Sequence, residues 1–537
     1  MEQSRLLACK PASPLLSKSE EQLQLESFLE ESACRFPEKT ALIFERQRFT
    51  YRDIEESANR LAHAMIERGL RRGDRAVIWL YNSPEVVIAL FAVLKAGAVF
   101  VVLNPTTKWK KVQYILNNSR ARALVTDAHN ARVLGGHWSS MPHLDMIFIA
   151  GDMGTIDLEG TGKVQSRLSA HFHDRTSLSS PPQKCAIDID LAALLYTSGY
   201  TGKPKGVMMT HLNMVSAAAS ITTYLESAFD DIILNFLPLS FDYGLYQVLM
   251  AFKVGATVLL ERCFTFPHRV LESAARERIT GLPIVPTSAA VLLQMELSRY
   301  DLSSLRYITN TAAALPTEHV RRLREVFPKA RLFSMYGLTE CKRVSYLDPE
   351  MIDARPASVG RSMPNEEVYL VDEDGRRLGP GETGELVVRG SNVMKGYWED
   401  PVETAKRLRP GPYPWEQVFY TGDLFRTDAE GYLYFVGRKD DMIKSRGEKI
   451  SPREIEDVLY SLDGVAEVAV VGVPDPVLGQ AIKACIARLA GSSLTERDVL
   501  RHCARELENF MVPTMVEFRD HLPTTSTGKI SRREIRQ

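Results

Sequence analysis

Twelve consecutive residues, Tyr196-Thr-Ser-Gly-Tyr-Thr-Gly-Lys-Pro-Lys-Gly-Val207, gather three glycines, two lysines and several hydroxyls. That combination suits phosphate. Glycine lets backbone N–H groups approach an anion closely, Ser198 and Thr201 offer hydroxyls to phosphate oxygens or Mg²⁺, and Lys203 and Lys205 supply positive charge. Thr197, Gly199 and Gly202 complete this candidate nucleotide-binding set. The apolar run Leu191 to Leu195 reads as a buried strand, which puts the loop at a strand end, where α/β proteins bind ligands. The loop is not a Walker loop: Gly199 and Gly202 are too close together, and Pro204 bars the helix such a loop would feed. A Gly/Ser surface loop would share the composition, but not the preceding strand or the paired lysines.

Four more segments carry polar groups suited to a nucleotide: Tyr336-Gly-Leu-Thr-Glu340, Tyr420-Thr-Gly-Asp423, Gly437-Arg-Lys-Asp-Asp-Met-Ile-Lys-Ser-Arg-Gly447 and Thr527-Gly-Lys529. With the first loop, and in this order, they resemble the adenylate-forming superfamily of acyl-CoA synthetases, amino-acid adenylation domains and luciferases. The likeness extends over nearly the whole chain. It implies that Glu340 ligates Mg²⁺ on the triphosphate of ATP, a hard cation that suits a carboxylate, while Tyr336 stacks on adenine and Thr339 contacts the α-phosphate. Asp423 would accept hydrogen bonds from two ribose hydroxyls, with Arg438 on the ribose and phosphate side. Lys529 would reach from a mobile C-terminal domain to the reacting carboxylate, Asp440 would be the hinge, and Gly447 would leave room for a phosphopantetheine arm. Taken without the resemblance, Asp423 reads as a turn residue and Lys529 as a solvated tail lysine.

Two segments depart from the family pattern. Tyr200 stands where a threonine is usual, and Thr309-Asn-Thr-Ala-Ala-Ala-Leu315 carries alanines, Ala313 among them, where a glycine pair usually borders the adenine and substrate. Substrate choice rests on Phe241 and Asp242: the Phe-Asp pair resembles that of amino-acid adenylation domains, whose aspartate holds an α-ammonium. The reading is an AMP-forming acid–thiol ligase that activates an amino acid and passes it to CoA or to the phosphopantetheine of a separate carrier protein. A fatty or aromatic acyl-CoA synthetase is the alternative within the family. A kinase-like NTPase and a non-catalytic nucleotide-binding regulator are the alternatives outside it.

Length and composition set the frame that must hold these residues. A chain of 537 residues exceeds one core, so at least two domains are expected. A net charge of -1 gives no electrostatic case for nucleic acid or anionic membrane. Seven dispersed cysteines without a Cys-x-x-Cys pair point to a reducing cytoplasm rather than to disulfides or zinc. The N-terminus lacks a long apolar run, so no secretory signal is expected. The greasy stretch Val86 to Leu103 is broken by Lys95 and Gly97 and reads as buried helix, turn and strand, not a stable membrane span.

The periodicity is α/β. Ser57 to Gly69 and Pro84 to Lys95 read as helices, and Arg75 to Leu80, Ala98 to Leu103, Ile232 to Leu237, Ala256 to Leu260 and Leu305 to Ile308 as strands. From Ala357 short β runs, Glu367 to Asp372 and Gly384 to Arg389, suggest a small β-subdomain. Ser451 to Leu462 and Thr495 to Leu507 read as helices around strands Val465 to Val473 and Gln480 to Ala487. The expected architecture is a core over residues 1–438, made of two α/β subdomains and a β-subdomain, followed by a mobile α+β domain over 439–537.

Overall fold

In the computed structural model of the chain, residues 24–151, 178–197, 204–445, 448–525 and 529–536 are described. Two α/β sheets dominate. One runs in the order Met146–Ala150, Ala123–Asp127, Arg75–Trp79, Val99–Val102, Leu191–Thr197, Lys205–Thr210, parallel except for its last strand. The other has nine strands, with a parallel centre built from Arg331–Tyr336, Tyr307–Asn310, Gly281–Ile284, Ile232–Asn235, Thr257–Leu260 and Thr40–Phe44.

Helices fill the space between these sheets, and their sequences show why. Pro84–Lys95 opens with proline at its first turn and is apolar nearly all round, because one continuous core packs against it. Its single cation, Lys95, is buried but donates to Glu30 at 2.8 Å and to Glu55 at 2.9 Å, which offsets the loss of water. Among the described residues no helix is long and apolar enough to cross a membrane. Tyr51–Glu67 begins six residues before the expected Ser57, since Thr50 and Asp53 exchange hydrogen bonds in a capping box.

The expected β-subdomain is an antiparallel sheet built on Gln417–Thr427, which pairs with Thr383–Gly390 on one side and Leu433–Arg438 on the other. Beyond it, Ile443–Ser445, Val465–Asp475, Gly479–Arg488 and Met515–Arg519 form a further sheet. Helices Pro452–Tyr460 and Glu496–Glu506 pack on it around a separate core that includes Ile450, Ile455, Val470 and Ile486. This α+β unit touches the larger body: Arg453 donates to the Leu315 carbonyl at 3.2 Å, and the Lys449 ammonium lies 2.9 Å from Glu373.

Candidate active site

Strands Leu191–Thr197 and Lys205–Thr210 pair antiparallel, with Thr197 opposite Lys205, so the phosphate-type loop is the tip of a hairpin. Ser198, Gly199, Thr201, Gly202 and Lys203 lie outside the described residues. The segment 395–398 straps the hairpin from outside, through Trp398 N–H to the Gly206 carbonyl at 2.7 Å and Lys395 N–H to the Met208 carbonyl at 2.9 Å. Lys205, at the base of the loop, is paired within the protein. Its ammonium lies 2.6 Å from Glu403, over the Tyr397 ring, and that pairing, with Lys406 beside it, holds the Glu403 carboxyl down at about 2. In this structure Lys205 ties the hairpin to the strap.

The nucleoside end is built by Arg331–Tyr336 and the β-subdomain. Tyr336 ends its strand with its ring edge-on to Phe425, 4.7 Å between centroids, and its hydroxyl donates to Asp423 at 2.7 Å. Arg438 Nε donates to the other Asp423 oxygen at 3.2 Å. Gly422 sets up this carboxylate: it takes φ +74°, and a Cβ there would sit 2.1 Å from the Arg407 guanidinium. Burial raises the Asp423 pKa, and Arg438 opposes that rise. Each carboxylate oxygen keeps a second lone pair, which leaves acceptor capacity for ribose hydroxyls.

After Tyr336 the chain folds back sharply. A Cβ at Gly337 would lie 2.3 Å from the Lys342 carbonyl and 2.9 Å from the Arg343 Cα, so only glycine fits this approach. The turn carries Thr339 and Glu340. Glu340 Oε1 accepts from the Tyr397 hydroxyl at 2.8 Å, and its backbone carbonyl accepts from Met394 N–H at 2.8 Å, so the 394–398 strap holds Glu340 as well as the hairpin. A lone carboxylate fits a Mg²⁺ ion whose other ligands are triphosphate oxygens and water. Among the described residues no group of three or more His, Cys, Asp or Glu side chains could form a metal cage.

Phe241 precedes, and Asp242 starts, the helix Asp242–Val254. Asp242 is not free to meet a substrate ammonium. It is 8% exposed and lies 3.4 Å from the ammonium of Lys342, itself 2% exposed. Burial lowers the Lys342 pKa to about 7 against the pull of Asp242. In this structure the cation facing Asp242 is supplied by the chain itself. Ala313 is exposed in the loop after Tyr307–Asn310, and its neighbour Ala312 takes the left-handed φ of +79° where the family's glycine would be unstrained.

Lys529, remote in sequence, arrives in this cleft. The residue is exposed as a whole, yet desolvation of its ammonium lowers the pKa against the attraction of Asp242, Asp423 and Glu340, with Arg438 adding to the fall. One cation from the C-terminal unit thus faces the carboxylates that the two sheets and the β-subdomain present. Asp440 sits exposed in the turn between Leu433–Arg438 and Ile443–Ser445, and Gly447 lies outside the described residues. Sequence reasoning missed Tyr397, Glu403, Lys342 and Arg343. The first two carry no local signal, because their partners are distant in sequence. Lys342 and Arg343 do carry one, a pair of cations directly after the Tyr-Gly-Leu-Thr-Glu turn.

A family model described as AMP-binding enzyme matches residues 29–398, and one described as AMP-binding enzyme C-terminal domain matches residues 454–529. The chain is 32% identical to a long-chain-fatty-acid–CoA ligase of Bacillus subtilis (strain 168), over 95% of this chain and 94% of that protein. It is 34% identical to a feruloyl-CoA synthase of Amycolatopsis sp, over 93% of this chain and 96% of that one. The solved structure of an anthranilate CoA ligase in complex with anthranoyl-AMP superposes with a TM-score of 0.86 at 28% identity, covering 96% of both chains.

Proposed function

This chain belongs to the AMP-binding, adenylate-forming enzymes, and from that footing we propose that it is an ATP-dependent acyl-CoA ligase working in two half-reactions. In the first, a carboxylate oxygen of the acid attacks the α-phosphorus of ATP and pyrophosphate leaves, giving an acyl-adenylate. In the second, the thiol of CoA attacks the acyl carbon, loses its proton, and AMP leaves. The convergence of Lys529 with Asp242, Asp423, Glu340 and Arg438 carries this reading, because the first step brings two anions together and needs preorganised positive charge. Mg²⁺ would neutralise triphosphate charge and would be held by Glu340. Tyr336 and Asp423 would receive adenine and ribose, with Arg438 beside them and Thr339 at the α-phosphate.

Free CoA is the acceptor this reading favours over a carrier protein, since the relatives above are named as CoA ligases. The Asp242–Lys342 pair argues for an acid without an α-ammonium. We divide the chain into an adenylation core, 1–438, and a C-terminal domain, 439–537, that turns about Asp440 between half-reactions and brings the Gly447 loop to the incoming thiol. Its place is the cytoplasm, where CoA thiol stays reduced. The test is acid-dependent exchange of radiolabelled pyrophosphate into ATP over a panel of fatty, aryl and amino acids. Exchange confined to amino acids would overturn the substrate reading, and release of ADP instead of AMP would overturn the reaction.

A further inference from the structure

Arg343 is buried to 1% exposure and follows Lys342 of the Asp242–Lys342 pair directly in the chain, and among the described residues no carboxylate forms an ion pair with it. Its guanidinium lies 5.1 Å from the Tyr243 ring centroid and acts electrostatically on the Tyr224 hydroxyl, while Nε and Nη1 have no hydrogen-bond partner among the described residues. The Tyr246 hydroxyl, in the same cluster, is also buried without a partner. The Lys342 ammonium stands 4.4 Å from the Tyr246 ring and 5.8 Å from the Tyr243 ring, so the two cations and the two tyrosines form one buried cluster.

The charge of Arg343 is not answered in this cluster. Asp242 is paired with Lys342, whose pKa is lowered to about 7, and the nearby Glu366 carboxyl is pushed well up by burial, toward its neutral form. Burying an arginine without an anion costs several kcal/mol, and packing alone would be served as well by methionine or leucine. Arg343 follows Glu340 by three residues in the fold-back at Gly337, so this charge stands next to the turn that carries Thr339 and Glu340 rather than in a distant part of the core. Unpartnered guanidinium and hydroxyl donors next to a site for one carboxylate are fitted to receive a second anion from the same molecule.

We propose that the acid this ligase activates carries a second anionic group, a carboxylate at its far end, which Arg343 binds with help from Tyr246 and Lys342. The proposal rests on the acyl-CoA ligase reading above. Arg343 here is a specificity residue: it holds the end of the substrate that does not react. A site built around buried hydrogen-bond donors rejects analogues that leave those donors unanswered, so discrimination against matched monoacids is expected to reach at least about 10²-fold in kcat/KM.

The experiment compares pyrophosphate exchange with straight-chain dicarboxylic acids of four to ten carbons, benzenedicarboxylic acids, and the monocarboxylic acids of matched length or ring, in wild type, Arg343→Met and Arg343→Lys. Wild type is expected to prefer one diacid over its matched monoacid by about 10²-fold or more. Arg343→Met should abolish that preference by losing diacid turnover while monoacid turnover holds or rises, and Arg343→Lys should restore part of it. A wild type that prefers monoacids, or an Arg343→Met protein that loses both substrates in equal proportion, overturns the second-anion site and leaves the ligase reading intact. If Arg343→Met does not fold, the wild-type diacid-to-monoacid ratio still decides. No exchange with any acid from a chain that binds ATP would remove the ligase reading, and this proposal with it.

Discussion

Asp242→Ala separates an internal ion pair from a substrate receptor without any substrate being present. The carboxylate and the Lys342 ammonium are 3.4 Å apart and both buried. At an effective dielectric constant near 20, two unit charges at that separation attract by about 5 kcal/mol. Removing one member of such a pair typically costs about 3 to 5 kcal/mol, because the other charge stays buried and unanswered. All five tryptophans, Trp79, Trp109, Trp138, Trp398 and Trp415, lie before residue 439, so their fluorescence follows urea unfolding of the large domain alone. At about pH 5, two units below its pKa of about 7, the Lys342 ammonium is charged; there the ligand-free variant should lose about 2 kcal/mol or more, and joining Asp242→Leu to Lys342→Met should recover most of that loss. A single variant within about 0.5 kcal/mol of wild type would refute the ion-pair account and return Asp242 to the role of ammonium receptor.

Four further outcomes follow from the structure. Lys529→Ala should slow adenylation by about 10² to 10³ while leaving thiolysis of preformed acyl-adenylate much less affected, measured as separate half-reactions. The Lys529 pKa is lowered, so wild-type adenylation should be full below that pKa and decline as pH rises through it, whereas Lys529→Arg stays charged and moves the decline upward; a pH–rate profile checks this. Asp440→Pro, which fixes φ in the turn before Ile443–Ser445, should spare adenylation and impair thioester formation, and equal loss of both would count against the hinge. Ala312→Gly should stabilise the large domain by about 0.5 to 1 kcal/mol, since relief of the left-handed strain exceeds the entropy glycine adds to the unfolded chain; the same fluorescence titration reads it.

Elements whose signal is local were legible in the sequence. Pro84–Lys95 matches its expected span because a helix walled by core on all sides has no polar face to confuse the pattern and opens with proline. The two C-terminal helices and two strands that were expected differ from the observed ones by only one or two residues at their ends, where caps such as Ser451 and Thr495 mark the boundary, whereas the short strands Ile443–Ser445 and Met515–Arg519 were not expected. Strand Lys205–Thr210 was not foreseen, as it takes its identity from pairing with Leu191–Thr197 across the loop. Within the site, residue types were readable and partners were not. Asp242 looks like a receptor until the chain folds back at Gly337 and delivers Lys342 to it, and Lys205 looks like a phosphate ligand until Glu403 arrives from far along the chain.

The most direct test of the ligase itself is product identity. Purified chain incubated with Mg²⁺, ATP, CoA and the acid it prefers in pyrophosphate exchange should form AMP, pyrophosphate and acyl-CoA in equal amounts, resolved by chromatography and mass spectrometry. Omitting CoA should leave a single turnover of enzyme-bound acyl-adenylate. Formation of ADP and phosphate, or ATP cleavage that does not depend on the acid, would contradict the account.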